Sequence, residues 1–172
     1  RVAEKEDLPL FAEWLNNPDF FGEHFAPLQR SKAELEKMLE NNPLAMKVFI
    51  IEEKDGIKIG LVSHFNVLAP YAKMQEIGYA LVPSERGKGY CTEATQLMVD
   101  YLFLSKDIAR IQATTHVGNV ASQRVLEKGG FKREGILRKA VQSRGEWTDL
   151  VIFSILRDEW KEPKILTKTA QK

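Results

Sequence analysis

The stretch Glu85-Arg86-Gly87-Lys88-Gly89-Tyr90-Cys91-Thr92-Glu93 constrains this chain more than any other. A strand-like run, Ile77 to Val82, feeds into it, and an amphipathic helix leaves it. Two glycines let the backbone turn tightly and bring several N–H groups to one point. The start of the following helix adds its partial positive charge. Arg86 and Lys88 add full charges. Strand, glycine loop and helix start together form a cradle for a phosphate-bearing ligand. A dinucleotide fingerprint needs three glycines as G-x-G-x-x-G, and Thr92 holds the third place here. A Walker A loop also fails, because no glycine stands five residues before a Gly-Lys-Ser/Thr.

The rest of the chain reads as strands and helices in alternation. Asp7 is placed to cap a helix over Leu8 to Asn16, with Pro9 in its first turn. Ser31-Lys32-Ala33-Glu34 is a capping box that opens a second helix to about Glu40. Met46 to Glu53 and Ile57 to Val67 read as strands joined at Lys54-Asp55-Gly56, and Glu76 to Val82 is a third, stopped by Pro83. Thr92 to Ser105 is a helix, with Ala94, Leu97, Met98, Tyr101 and Leu102 on one face. Ile108 to His116 is a strand. Asn119 to Lys128 is a helix that Gly129 and Gly130 stop. Phe131 to Val141 and Glu146 to Leu156 form a last hairpin around Ser143-Arg144-Gly145. Antiparallel hairpins at both ends argue an α/β (α+β) domain on one mostly antiparallel sheet. The chain begins at Arg1, and residues before it would complete a first strand.

Composition removes several classes. The 172 residues suit one domain, with 44% apolar and 28% charged side chains, as in a soluble globular protein. A net charge of +1 gives no general nucleic-acid surface. The single cysteine excludes an intrachain disulfide and fits a reducing cytoplasm. No apolar run reaches membrane-spanning length and no signal-peptide pattern opens the chain, so no membrane partner is expected. The three histidines, His24, His64 and His116, stand far apart and make no ligand-spaced cluster, so no metal is expected.

The loop Arg86-Gly87-Lys88-Gly89-Tyr90-Cys91 resembles the Gln/Arg-x-x-Gly-x-Gly/Ala pyrophosphate loop of the GNAT superfamily of N-acetyltransferases. Cys91 departs from it, standing where glycine or alanine is usual. Upstream, Glu76-Ile77-Gly78-Tyr79 matches the strand before that loop. Downstream, the segment from Asn119-Val120-Ala121-Ser122 to Lys128-Gly129-Gly130-Phe131 resembles the branch that acetylates ribosomal-protein N-termini. Order and spacing agree from about Asp7 to Arg157. The resemblance implies a single GNAT-type domain over residues 1–160 with helices on both sheet faces; Lys161 to Lys172 carries charge without periodicity and reads as a frayed tail. The resemblance also implies acetyl-CoA as donor, a primary amine as acceptor and, at family level, a homodimer.

The resemblance further implies roles for individual residues. The N–H groups of Arg86, Gly87, Lys88, Gly89, Tyr90, Cys91 and Thr92 would hold the pyrophosphate. The pantetheine arm would lie along Ala80-Leu81-Val82, with an N–H near Leu81 or Val82 as the oxyanion donor. Asn119 is either a pantetheine ligand or a plain N-cap. An alkyl amine of pKa about 10 is mostly ammonium at neutral pH, so a base is useful. Glu76 is the candidate base; the alternative is an exposed strand-end carboxylate. Ser122 is the candidate proton donor to the departing thiolate, or else a small helix residue that lets the coenzyme pass. The family's common tyrosine acid is absent, its place being taken by Leu126, and the branch's second glutamate is replaced by Val141.

Phe21, Glu23 and Phe25 would line the acceptor pocket, or else pack in the core. Cys91 is a reactive thiol with a lowered pKa, or a packing residue beside the coenzyme. Trp147 and Asp149 read as structural. A peptide or protein N-terminus is the leading acceptor. A polyamine, an aminoglycoside or a free amino acid stay open, as does a non-catalytic acyl-CoA-binding module.

Overall fold

A computed structural model describes residues 1–24, 29–40, 45–67 and 73–163. Its strands are β1 Lys47–Glu52, β2 Lys58–Asn66, β3 Met74–Leu81, β4 Arg110–His116, β5 Lys132–Ser143 and β6 Glu146–Leu156. They form one sheet in the order β1-β2-β3-β4-β6-β5. Every neighbouring pair is antiparallel except β3 and β4. The helices are α1 Leu8–Leu15, α2 Pro18–Phe21, α3 Lys32–Glu40, α4 Tyr90–Ser105 and α5 Val120–Gly129. The α+β architecture read from the sequence is the one observed. The opening residues pair along β1, through Ile50 N–H to Arg1 O at 2.8 Å and Ala3 N–H to Val48 O at 2.9 Å.

Two cores lie on opposite faces of the sheet. Leu61 and Val62 are neighbours in sequence but enter different cores, because strand side chains alternate. Val62, Ile77, Ile111 and Phe153 pack with Met98 and Leu102 of α4 and Leu126 of α5. Val48, Ile50 and Leu61 pack with Phe11 and Trp14 of α1, Phe20 of α2 and Leu35 of α3. The buried face of α4 is wider than its simple period suggests. It holds Thr95, Val99 and Phe103 besides Ala94, Met98 and Leu102, while Leu97 and Tyr101 are only partly buried. Trp160 closes over α4, its indole N–H donating to Asp100 at 2.8 Å.

Caps and turns are local decisions, and most follow their residues. Ser31 N–H donates to Glu34 at 2.7 Å and Glu34 N–H to Ser31 Oγ at 3.3 Å, the reciprocal box expected at α3. Asp7 is an exception, since it makes no side-chain cap to α1. A 3₁₀ turn, Lys5–Asp7, leads into α1, so Asp7 already has helical backbone angles. Its buried carboxylate turns back to accept from Glu4 N–H at 2.9 Å, Arg1 Nη1 and Nη2 at 2.8 Å and Lys58 at 3.0 Å. These donors hold its pKa well below the usual carboxylate range.

His64 of β2 is fully buried between Phe49 and Tyr101. Its Nδ1 stands 2.7 Å from Gln75 Oε1, an acceptor, so Nδ1 carries the hydrogen. Nε2 is then a bare lone pair, buried with no partner among the described residues. Burial pushes the imidazole pKa down. The unfolded chain therefore takes up a proton that the folded chain refuses. Unfolding free energy should fall as pH drops below about 6.5, by up to about 1.4 kcal/mol per pH unit from this group. Urea unfolding at about pH 7 and about pH 5.5 checks this. His64→Gln should shrink the difference between the two; an unchanged difference contradicts the assignment.

Candidate active site

β3 and β4 pair only at Met74–Arg110, Gln75–Ile111 and Glu76–Gln112. Beyond Glu76 the two strands diverge, although β3 runs to Leu81 and β4 to His116. β2 holds the far edge of β3 as far as Leu81, and β6 holds the far edge of β4 as far as His116. A wedge opens inside the sheet. Val82 N–H donates to Ile59 O at 2.9 Å, which sets the phase of the β2–β3 ladder. Alternation then turns the N–H and C=O groups of Ile77, Tyr79 and Leu81 toward the wedge. The last β3–β4 pair, Glu76–Gln112, uses the Ile77 N–H, and Leu81 O accepts from Arg86; the Ile77 C=O, both Tyr79 groups and the Leu81 N–H lie beyond that pairing. Of the two N–H groups expected to face an oxyanion, that of Val82 is already bonded and that of Leu81 is turned to the wedge.

The wedge continues into a cavity of about 740 Å³. One end is the glycine loop. Gly87 and Gly89 have φ of 78° and 97°, a region that strains other residues, and nothing lies within 4 Å of a Cβ added to either. The first intrahelical bond of α4 is Glu93 N–H to Gly89 O at 3.1 Å. The N–H groups of Tyr90, Cys91 and Thr92 precede it and face the cradle without helix partners. The loop's side-chain cations are committed elsewhere, contrary to the sequence reading. Lys88 pairs with Glu85 at 2.8 Å. The Arg86 guanidinium donates to Leu81 O at 3.3 Å, Asp19 O at 2.5 Å and Phe20 O at 2.9 Å. Arg86 still lines the cavity, but its guanidinium is turned to these carbonyls, and Lys88 is not part of the lining.

Tyr90 donates its hydroxyl to the Glu53 carboxylate, which pushes the phenol up to about 12. Burial pushes the Cys91 thiol up to about 11, outweighing the nearby Arg86 charge. The direction is the opposite of the lowered pKa expected for a reactive thiol, and it agrees with the alternative of a packing residue beside the coenzyme site: a thiolate here would be desolvated. Asn119 is the N-cap of α5, its Oδ1 accepting from Ser122 N–H at 3.0 Å, and it also lines the cavity.

Glu76 sits at the crotch of the wedge. Its carboxylate accepts from Gln112 Nε2 at 2.9 Å and from Thr114 Oγ1 at 2.8 Å. Thr114 lines the cavity; Glu76 lies behind it. Ser122 faces the cavity from α5, with its Oγ 3.0 Å from the Tyr79 hydroxyl. Tyr79 also donates to Ser122 O at 3.1 Å. Burial holds the Tyr79 phenol well above its ordinary pKa. Tyr79 was not singled out from the sequence, although it closes the Glu76-Ile77-Gly78-Tyr79 motif. Leu126, in the place of the missing tyrosine, is buried core. Val141 lies on β5 opposite Thr148.

The opposite wall comes from α2 and the residues after it. Phe21, Gly22, Glu23 and His24 line the cavity, and Phe20 lies mostly behind them, stacked on Trp14 at 5.2 Å. Phe25 lies outside the described residues, as does 164–172 of the expected tail. The fold brings two of the three distant histidines together, contrary to expectation. His24 stacks on His116 at 5.0 Å, and Gly118 N–H donates to His116 Nδ1 at 3.0 Å. Among the described residues no group of three or more His, Cys, Asp or Glu is arranged to hold a metal. Asp149 is structural as read, accepting from Lys139 N–H at 2.8 Å, where Lys139 has φ of 49°. Trp147 is exposed.

Comparison with known proteins agrees with this geometry. Residues 1–132 match the family model described as Acetyltransferase (GNAT) domain. The probable N-acetyltransferase YjcK of Bacillus subtilis (strain 168) is 41% identical over 110 residues, covering 64% of this chain and 61% of that protein. The alignment thus spans about three fifths of that relative's length. The ribosomal-protein-serine acetyltransferase of Escherichia coli (strain K12) is 27% identical over 164 residues, covering 91% of this chain and 90% of that protein. The structure of spermidine N-acetyltransferase from Vibrio cholerae in complex with CoA and spermine superposes with a TM-score of 0.79. It is 24% identical and covers 94% of this chain and 96% of that one, so it speaks for the fold alone.

The raised Cys91 pKa has a direct consequence. Reaction with a disulfide reagent at about pH 8 should run roughly a hundredfold slower than for an exposed thiol, and urea should restore it. Fast labelling of the folded chain would contradict the burial argument.

Proposed function

This chain belongs to the GNAT acetyltransferase family, and we propose that it is an enzyme that transfers an acetyl group from acetyl-CoA to a primary amine. The observation that carries the reading is the wedge: an unpaired strand edge that leads into an open, glycine-lined cradle of backbone N–H groups. The cradle suits a pyrophosphate, because a Cβ at Gly87 or Gly89 would point into unfilled space. The edge suits an extended arm carrying amides, which adds to a sheet as a strand does. When bound, the coenzyme supplies an acyl thioester for the amine to attack.

The chain's own residues would divide the remaining work. The N–H groups of Gly87 to Thr92 hold the diphosphate. The Ile77 C=O and the wedge-side groups of Tyr79 hold the pantetheine arm, and Leu81 N–H donates to the thioester oxygen, where negative charge develops. Glu76, steadied by Gln112 and Thr114, takes the ammonium proton through Thr114 and water rather than by direct contact. Ser122 Oγ donates toward the sulfur. Burial keeps Tyr79 protonated, and turning its single hydrogen from Ser122 O to Ser122 Oγ, 3.0 Å away, leaves the serine hydrogen free to point at the sulfur. Alignment of the two substrates supplies much of the rate, since effective molarities reach about 10⁵ M or more.

A peptide or protein N-terminus is the acceptor we favour. The relative aligned over 91% of this chain is named for a ribosomal protein. A polyamine is disfavoured by charge. Glu23 is the one acid among the described lining residues, against Arg86, Arg124 and Lys128. A polycation would meet too few carboxylates.

Acetyl-CoA mixed with a pool of N-terminal peptides, polyamines, aminoglycosides and amino acids, with products read by mass, tests the reading. An acetylated peptide is the expected product. Glu76→Gln should lower kcat about a hundredfold and Ser122→Ala about tenfold, both with coenzyme affinity kept. Full activity of Glu76→Gln would remove Glu76 from the mechanism. Coenzyme binding with no product from any amine would favour the non-catalytic acyl-CoA-binding module, which Leu126 and Val141 already motivate.

A further inference from the structure

Arg86 opens the coenzyme loop, yet its guanidinium serves a different part of the molecule. It donates to three carbonyls: Leu81 O at the end of β3, and Asp19 O and Phe20 O in the last turn of α2. These belong to the two sides of the cavity. Building on the coenzyme reading above, we propose that Arg86 couples the phosphate loop to the acceptor wall. Filling the loop would then set the shape of the pocket that receives the amine.

The need for such a tie lies in α2. It is a single helical turn of four residues, Pro18–Phe21, closed by Gly22 N–H to Pro18 O at 3.1 Å. Phe20, stacked on Trp14, anchors one side of it in the core. Its last carbonyls have no next turn to bond, and a cation at a helix C-terminus is the usual remedy. Here the cation comes from more than sixty residues away in sequence, not from the helix itself. The residues that follow, Phe21 to His24, are the acceptor-side lining. Gly22 has φ of 72°, and a Cβ there would lie 3.9 Å from Arg86 Nη1, so the guanidinium lies alongside that turn.

The other end of Arg86 is fixed by the loop. Its N–H donates to Pro83 O at 3.3 Å, and the next residue, Gly87, begins the cradle. A diphosphate held by the N–H groups of Gly87 to Thr92 immobilises the backbone from which the Arg86 side chain springs. The planar fork then has one direction in which to meet three carbonyls at once. Binding at one side lowers the cost of ordering the other, and linkage makes the effect mutual.

Hydrogen exchange with coenzyme A itself as the probe tests this without an acceptor. In the wild-type chain, coenzyme A should slow exchange at residues 87–93 and also at residues 19–24, each by about fivefold or more. Arg86→Gln should keep the loop protection and lose the protection at 19–24. Arg86→Lys should behave like Arg86→Gln, because an ammonium cannot reproduce the fork. If Arg86→Gln is misfolded, exchange rises throughout α4, and Arg86→Lys decides. Loss of loop protection in Arg86→Gln with rescue by Arg86→Lys would make Arg86 a phosphate ligand and overturn the coupling. So would 19–24 protection that is absent in the wild type or survives in both variants. If coenzyme A slows exchange nowhere in the wild type, the coenzyme reading itself fails, and the coupling falls with it.

Discussion

Three residue pairs join β3 to β4, and the site exists because the pairing stops there. A strand edge in the middle of a sheet is costly: each buried N–H or C=O left unpaired loses about 1–3 kcal/mol. β3 and β4 can diverge because each is held along its other edge, by β2 and by β6. The Ile77 C=O, the Tyr79 backbone groups and the Leu81 N–H then face a cavity instead of a neighbouring strand. A ligand with amides at the right spacing would recover what the fold leaves unmade. The rest of the site is arranged around that gap: Glu76 at its closed end, the glycine loop at its mouth, and α2 and α5 on its flanks.

Charge in this site is handled indirectly. The loop's Arg86 and Lys88 are spent on a carbonyl clamp and on Glu85, which leaves backbone dipoles and the start of α4 to face an anion. Polar side chains near the gap are likewise held by neighbours: Glu76 by Gln112 and Thr114, and Ser122 by Tyr79. Preorganised groups of this kind need little rearrangement when charge develops. The buried His64 lies outside this set and bears on stability rather than chemistry.

What could be read from the sequence was local. Hairpin turns, the Ser31–Glu34 box, the glycine stop at Gly130 and the tight glycine loop before α4 follow from a few adjacent residues, and the folded chain keeps them. What could not be read depends on tertiary approach. No spacing rule brings His24 onto His116, or the Tyr79 hydroxyl to Ser122. Arg86 read as a phosphate cation because its motif neighbours are loop residues, while its bonding partners lie in α2. Asp7 read as a helix cap because the 3₁₀ turn before α1 has no strong sequence mark. Cys91 was weighed by its position at a helix start, whereas its burial decides its pKa. The Tyr79 signal was present in its motif, and only the packing of β3 against α5 gives it a task.

The central claim is that the open edge of β3 receives the coenzyme's arm as a missing strand would be received. A crystal structure of the chain with acetyl-CoA tests it most directly. The account predicts pantetheine amides bonded to the main chain of Ile77 to Leu81, the diphosphate on the N–H groups of Gly87 to Thr92, and the thioester oxygen within hydrogen-bond reach of Leu81 N–H. A coenzyme bound elsewhere, with the β3 edge still unpaired, would contradict it.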